Sequence, residues 1–137
     1  MKGRDHVYTI AFCALLTWSI TGCSADAPTP TVTVEKLHAI ADSGRDIFVL
    51  DVRTEAEFYQ GHLAFTDDLI PYTEIEQNLN RLPQDKNAEM YMFCRSGRRS
   101  KITTDFLVSR GYTNVYNVEG GIIAWQKSGY EVAVGPK

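Results

Sequence analysis

Met90-Tyr91-Met92-Phe93-Cys94-Arg95-Ser96-Gly97-Arg98-Arg99-Ser100-Lys101 is the stretch whose reading decides the fold. Four apolar residues stop at a cysteine, six polar, basic or glycine residues follow, and an amphipathic segment then begins. That is the pattern of a buried strand, a tight loop and a helix start. A loop in this position gathers backbone N–H groups and the positive end of the following helix dipole, so an atom inside it sits in a focused electropositive field. A thiol placed there ionises readily, because cysteine pKa falls well below its free value of about 8.5 at helix N-termini and beside arginines. The plainer reading of Cys94 is a small hydrophobe closing a core strand. Three arginines and a glycine in the next five residues favour the reactive reading.

Working outward, Thr31-Val32-Thr33 alternates as a short strand does, and Thr33 then caps a helix running to about Ala41 with Leu37 and Ile40 on one face. Asp46-Ile47-Phe48-Val49-Leu50 is a compact apolar run of the kind found in buried parallel strands, ending at Asp51-Val52-Arg53. Thr54 with Glu57 three residues on makes a capping box for a short helix from Ala56 to Gln60, stopped by Gly61. Leu69-Ile70 is the next strand, stopped by Pro71. Thr73 opens a helix carrying Ile75, Leu79 and Leu82 that ends before Pro83. After the cysteine loop, a helix with Ile102, Phe106 and Leu107 on its apolar face ends at Arg110-Gly111. Val115 to Val118 is the last strand, and Glu119-Gly120-Gly121 turns into a helix from Ile122 to Lys127. Strands alternating with helices predict an α/β domain, a central parallel sheet with helices on both faces. Ligands of such sheets bind beyond the carboxyl ends of the strands, where Cys94 falls.

The 137 residues allow one domain and one core. With 44% hydrophobic and 23% charged residues the composition is that of an ordinary globular protein. The formal charge of −3 argues against nucleic acid as a partner, since phosphate backbones need a basic face. One basic spot exists. Arg95, Arg98, Arg99 and Lys101 lie within seven residues on an otherwise acidic chain, which fits focusing of a small anion, or simply a solvated helix start.

The cysteines are Cys13, Cys23 and Cys94, an odd count that speaks against a disulfide framework. Lys2 and Arg4 precede a mostly apolar run from Val7 to Ile20 that is short for a membrane span, which wants about 20 apolar residues, and has the order of a secretory signal. It ends at Ile20-Thr21-Gly22-Cys23, which resembles the lipobox of bacterial lipoproteins, in which the cysteine is lipidated and becomes the first residue of the mature chain. The resemblance makes residues 1–22 a signal peptide, Cys23 a lipid anchor to a membrane, and residues 23–31 a proline-containing extended tether ahead of a domain at 32–137. It implies an exported protein facing the periplasm or the cell exterior. Cleavage after Ala27, giving a secreted soluble form, and an uncleaved anchor helix are the competing readings. In the lipoprotein case Cys94 is the one free thiol left in an oxidising compartment, with no partner for a disulfide within the chain.

Four stretches in order make the chain resemble the rhodanese family of sulfurtransferases, from about Val34 to Tyr130. They are Leu50-Asp51-Val52-Arg53 with Glu57-Phe58 and Gly61-His62; Ile70-Pro71-Tyr72 with Glu74-Ile75; the loop Phe93 to Ser100; and Gly111-Tyr112 through Val118-Glu119-Gly120-Gly121 to Trp125. The family usually continues from Gly-His into an isoleucine, any residue and Gly-Ala. Here Leu63-Ala64-Phe65-Thr66-Asp67-Asp68 stands instead, a departure expected to reshape a segment near the site mouth and so bear on acceptor specificity.

The resemblance implies a single rhodanese-like domain in which the Cys94 thiolate takes the sulfane sulfur of a donor such as thiosulfate, holds it as a persulfide, and passes it to cyanide in an assay or to a thiol in the cell. This is covalent catalysis needing neither cofactor nor metal. The residues agree with it. Backbone N–H groups from Arg95 to Ser100, through Ser96, Gly97, Arg98 and Arg99, form a nest for an anion, and Gly97 allows the curvature. Arg95, Arg98 and Arg99 are positioned to orient a dianionic donor and Ser100 to donate a hydrogen bond. Asp51 and Arg53 read as a charge pair fixing the strand end behind the site, His62 as a turn residue, and Trp125 and Tyr130 as core and rim. Two other classes stay open. A phosphatase of this fold has arginine at the sixth position after the cysteine, where this chain has Ser100. A noncatalytic binding or regulatory module is the other, although such domains commonly lack the cysteine.

Overall fold

The computed structural model describes residues 27–137. The expectations for the leader, including Cys13 and the anchor Cys23, lie outside the described residues. Five strands, β1 (Thr31–Val32), β2 (Phe48–Asp51), β3 (Asp68–Leu69), β4 (Met90–Phe93) and β5 (Val115–Val118), form one parallel sheet in the order β1-β5-β4-β2-β3. The helices are α1 (Val34–Asp42), α2 (Glu55–Gln60), α3 (Arg98–Ser109) and α4 (Gly121–Lys127), with a 3-10 helix at Glu76–Arg81. Thr33 caps α1, and the Thr54–Glu57 capping box starts α2.

Side chains of a strand alternate between faces, and both faces here are covered. Leu50, Met90, Met92 and Val115 pack with Ile75, Leu82 and Leu107 on one side. Val49, Tyr91, Phe93 and Val118 pack with Leu37 and Ile40 of α1 and Ile122 and Trp125 of α4 on the other. This is the predicted α/β architecture. From β2 the chain moves outward to β3, and from β4 it moves the opposite way to β5, so the β2–β4 boundary is where strand order reverses. A crevice opens beyond the strand ends at such a point. Asp51 ends β2 and Cys94 follows β4 there, tied together by the Val52 N–H donating to Phe93 O at 2.9 Å.

Four expectations are corrected. The helix expected from Thr73 is only the 3-10 segment, irregular at Asn78 (φ −118°, ψ 20°), whose Nδ2 donates to Glu74 O at 2.8 Å and so competes for a carbonyl a helix would use. The buried face of α3 is Ser100, Thr103, Thr104 and Leu107, while Ile102 is 47% exposed. Small residues face inward because the start of α3 lies against β5, with Ser100 Oγ 2.6 Å from Asn117 Oδ1, and against the turn after it, where a Cβ on Gly97 would stand 3.1 Å from Gly120 N. The end of the tether is engaged sooner than expected, with Thr29 Oγ1 donating to Asp105 and Pro30 O accepting from Asn117 N at 2.8 Å ahead of the expected strand at Thr31. Finally, the Leu63–Asp68 segment lies away from the site. Asp67 Oδ2 accepts from Val49 N at 2.7 Å at the amino end of β2, Asp68 pairs with Arg81, and Phe65 packs on Trp125.

Candidate active site

Cys94 is 1% exposed at the floor of a loop that closes on its own sulfur. Gly97 takes φ +92°, a left-handed conformation glycine adopts without steric cost, and its N–H donates to Cys94 Sγ at 3.1 Å. The Ser100 hydroxyl lies 3.2 Å from the same sulfur. Burial alone raises the thiol's pKa, but hydrogen bonds from the Ser100 hydroxyl and from the backbone N–H groups of Ser100, Ser96 and Gly97 outweigh it, and the net shift is downward. The expected nest is therefore formed by Ser96, Gly97 and Ser100.

The loop is held from behind by α4. Ile122 N–H donates to Cys94 O at 2.9 Å and Ile123 N–H to Arg95 O at 3.2 Å, so the helix start clamps the first two carbonyls of the loop. Gly121 makes this approach possible, since a Cβ there would lie 2.2 Å from Cys94 O. From the sequence, Gly120-Gly121 reads only as a turn. The adjacent glycines between a strand and a helix were the available signal for close backbone approach.

Asp51 and Arg53 form the expected pair and are fully buried. Arg53 Nε lies 2.9 and 3.0 Å from the two Asp51 oxygens, and its Nη2 donates to Asp51 Oδ2 at 2.5 Å and to Gly61 O at 2.8 Å. The pair thus ties the end of β2 to the end of α2. His62, the next residue, stacks on Phe58 with ring centroids 3.9 Å apart and bridges to Ala133. Trp125 is core, with Nε1 donating to Glu131 O at 2.9 Å, and Tyr130 is a half-buried rim residue stacked on His38. Among the described residues no group of three His, Cys, Asp or Glu could hold a metal ion.

Of the three loop arginines, Arg95 and Arg98 point to solvent and, among the described residues, have no ion-pair partner. Arg99 departs from expectation. Its guanidinium makes a bidentate pair with Glu57, at 2.6 and 2.8 Å, so its charge is compensated and not free for a donor. Glu57 carries the capping box and the Arg99 pair together, and the first role, visible in sequence, hid the second. The pair crosses from α2 to α3 beside a cavity of about 210 Å³ lined by Arg53, Glu57, Gln60, Gly61, Arg95, Ile122 and Gln126.

The Arg99 guanidinium, aided by Thr54, lowers the Glu57 pKa to about 2 against the resistance of burial. A carboxyl depressed by folding stabilises the protein above its unfolded value of about 4.3, and that contribution fades as pH falls toward the folded value. Glu57→Gln therefore lowers stability at pH 7, and its gap from the unaltered protein narrows between pH 5 and pH 3 in urea unfolding. A gap constant across that range would mean the pair carries no such linkage.

The site is thus a buried thiol that accepts hydrogen bonds from its own loop at the reversal point of a parallel sheet. The rhodanese-like domain family profile matches residues 33–128, and the chain belongs to that family. It is 37% identical over 93 residues to a sulfurtransferase of Allochromatium vinosum, covering 68% of this chain and 83% of the relative. It is 32% identical over 96 residues to a putative sulfur carrier protein, YrkF, of Bacillus subtilis, covering 70% of this chain but only 50% of that one. The crystal structure of a rhodanese-like domain protein from Staphylococcus aureus superposes with a TM-score of 0.68 at 30% identity, over 78% of this chain and 99% of the other.

Proposed function

We propose that the protein is a sulfurtransferase that carries sulfane sulfur on Cys94 from a small anionic donor such as thiosulfate to a thiol. The Cys94 thiolate attacks the outer sulfur of the donor. A new S–S bond forms, the donor's S–S bond breaks, and its electron pair leaves with sulfite. The persulfide anion on Cys94 is then attacked at its outer sulfur by the acceptor thiolate, which leaves with that sulfur and returns Cys94 to the thiolate. The observation that carries this reading is the convergence of the Gly97 N–H and the Ser100 hydroxyl on Sγ at 3.1 and 3.2 Å. Preorganised donors of this kind favour an anion on the sulfur without a metal. The near-complete cover over Cys94 favours a small donor, and the uncompensated Arg95 and Arg98 favour a negative one. Asp51 and Arg53 support the site from behind.

For its location we propose the exported, lipid-anchored form, with Cys23 acylated. The support is the Ile20-Thr21-Gly22-Cys23 motif behind a charged and then apolar leader.

Intact mass spectrometry tests both parts. After incubation with thiosulfate the protein gains the mass of one sulfur atom, loses it on adding cyanide, and shows neither change as Cys94→Ser. Absence of the gain in the unaltered protein would sink the transfer mechanism. Protein extracted from membranes should begin at Cys23 and carry lipid mass, and a water-soluble product starting elsewhere would rule out the anchor.

A further inference from the structure

Asn117 sits in the middle of β5, and its side chain is the only polar one that the strand sends toward the loop. It is 6% exposed, its main-chain N–H donates to Pro30 O, and its Oδ1 lies 2.6 Å from Ser100 Oγ. Ser100 is 0% exposed and stands between Asn117 and Cys94 Sγ. A hydroxyl has one proton. Here it has two acceptors, an amide oxygen and the sulfur, and it cannot serve both.

The conflict resolves differently for the two charge states of the sulfur. With Cys94 as a thiol, S–H donates to Ser100 Oγ and the Ser100 proton goes to Asn117 Oδ1. With an anion on Sγ, the Ser100 proton turns to the sulfur, and Oγ presents a lone pair to the amide. An oxygen facing that lone pair at 2.6 Å is unfavourable, but a carboxamide also carries an NH2 donor and offers Nδ2 instead by rotating about its last bond. An asparagine fits both states, whereas a carboxylate would fit only one. We propose that Asn117 is a positioning residue that acts through Ser100, reversing a Cys94–Ser100–Asn117 hydrogen-bond chain so that the single hydroxyl proton is released to the sulfur when the sulfur is negative.

The charged groups around the sulfur on α3 and at the end of β2 are paired with neighbours of opposite charge. Arg99 of α3 is paired with Glu57 of α2, and Asp51 with Arg53 at the end of β2. Arg95 and Arg98 belong to the loop, Glu119 at the end of β5 is exposed, and the first turn of α4 contributes main-chain N–H groups. None of them sets the direction of the Ser100 proton.

The inference rests on Cys94 bearing negative charge, which the Proposed function also requires, so the test reads the charge without sulfur transfer. In the full-length protein, the pH dependence of Cys94 alkylation by iodoacetamide is followed by peptide mass spectrometry. For Asn117→Asp, whose carboxylate holds the Ser100 proton, the midpoint moves up by about one pH unit, or about tenfold less thiolate at a given neutral pH. For Asn117→Leu, which leaves the sulfur as the hydroxyl's sole partner, it does not move up. In a Ser100→Ala background the Asp shift is mostly lost. A merely structural role would move the Asp and Leu midpoints together, and that result overturns the proposal. So does an Asp shift that persists in full without the Ser100 hydroxyl, which would mark a direct charge effect. If Asn117→Asp fails to fold, an upward shift in Asn117→Leu alone is enough to refute it.

Discussion

Replacing Gly121 with alanine is expected to destabilise the domain by roughly 3–5 kcal/mol and to slow sulfur transfer on the order of a hundredfold. Two costs combine. Gly121 has φ +51°, where an L side chain costs about 1–2 kcal/mol. The added Cβ would also stand 2.2 Å from Cys94 O, 2.7 Å from Arg95 C and 2.8 Å from Arg95 O. These are main-chain atoms, with no flexible tip to swing aside, so either α4 or the loop must move. Moving either breaks the Ile122 N–H to Cys94 O hydrogen bond that sets the height of the cysteine. Gly129→Ala is the control. Its φ is +80°, but nothing lies within 4 Å of an added Cβ, so only the backbone cost applies. Thermal unfolding should place Gly121→Ala well over about 10 °C below the unaltered protein and Gly129→Ala less than about 10 °C below it. Equal losses in the two variants would show that the contact with the loop carries no energy of its own.

That clamp also marks the boundary of what the sequence discloses. Met90 to Lys101 reads correctly as strand, loop and helix start because each feature is local: an apolar run, a glycine at the bend, a helix that begins at once. The Thr54–Glu57 box and the Asp51–Arg53 pair are legible for the same reason, their partners being three and two residues apart. What was not legible depends on residues brought together by topology. Glu57 and Arg99 are 42 positions apart, and nothing in either neighbourhood shows that one neutralises the other. The inward face of α3 keeps the expected Leu107 and Phe106 but adds Ser100, Thr103 and Thr104 where the helix start lies against β5, and leaves Ile102 outside. Asn117 reads as a polar interruption in a strand until Ser100 is placed beside it.

The Asp51–Arg53 pair is expected to show a single-site loss comparable to that of Gly121→Ala, and its pattern is not additive. Arg53→Met leaves a fully buried carboxylate with no cation, and also strips the Gly61 and Glu57 carbonyls of the donors at 2.8 and 3.4 Å. Removing one partner of a buried ion pair costs about 3–5 kcal/mol, whereas replacing both with apolar side chains is often close to neutral. The double variant Asp51→Leu/Arg53→Met should therefore be more stable than Arg53→Met alone, although it discards more of the native contacts. Urea unfolding at constant m-value measures this directly, and losses that add to within about 0.5 kcal/mol would overturn it. Transfer activity separates a second question. Leucine and methionine can fill the volume but cannot hold the Gly61 carbonyl, so the cavity wall formed by Gly61 and Glu57 loses its anchor to β2 even where the core is repaired. Stability should recover in the double variant and the rate of persulfide formation should not. A rate restored along with stability would reduce the pair to scaffold, because the only contribution then recovered is the removal of an unpaired charge.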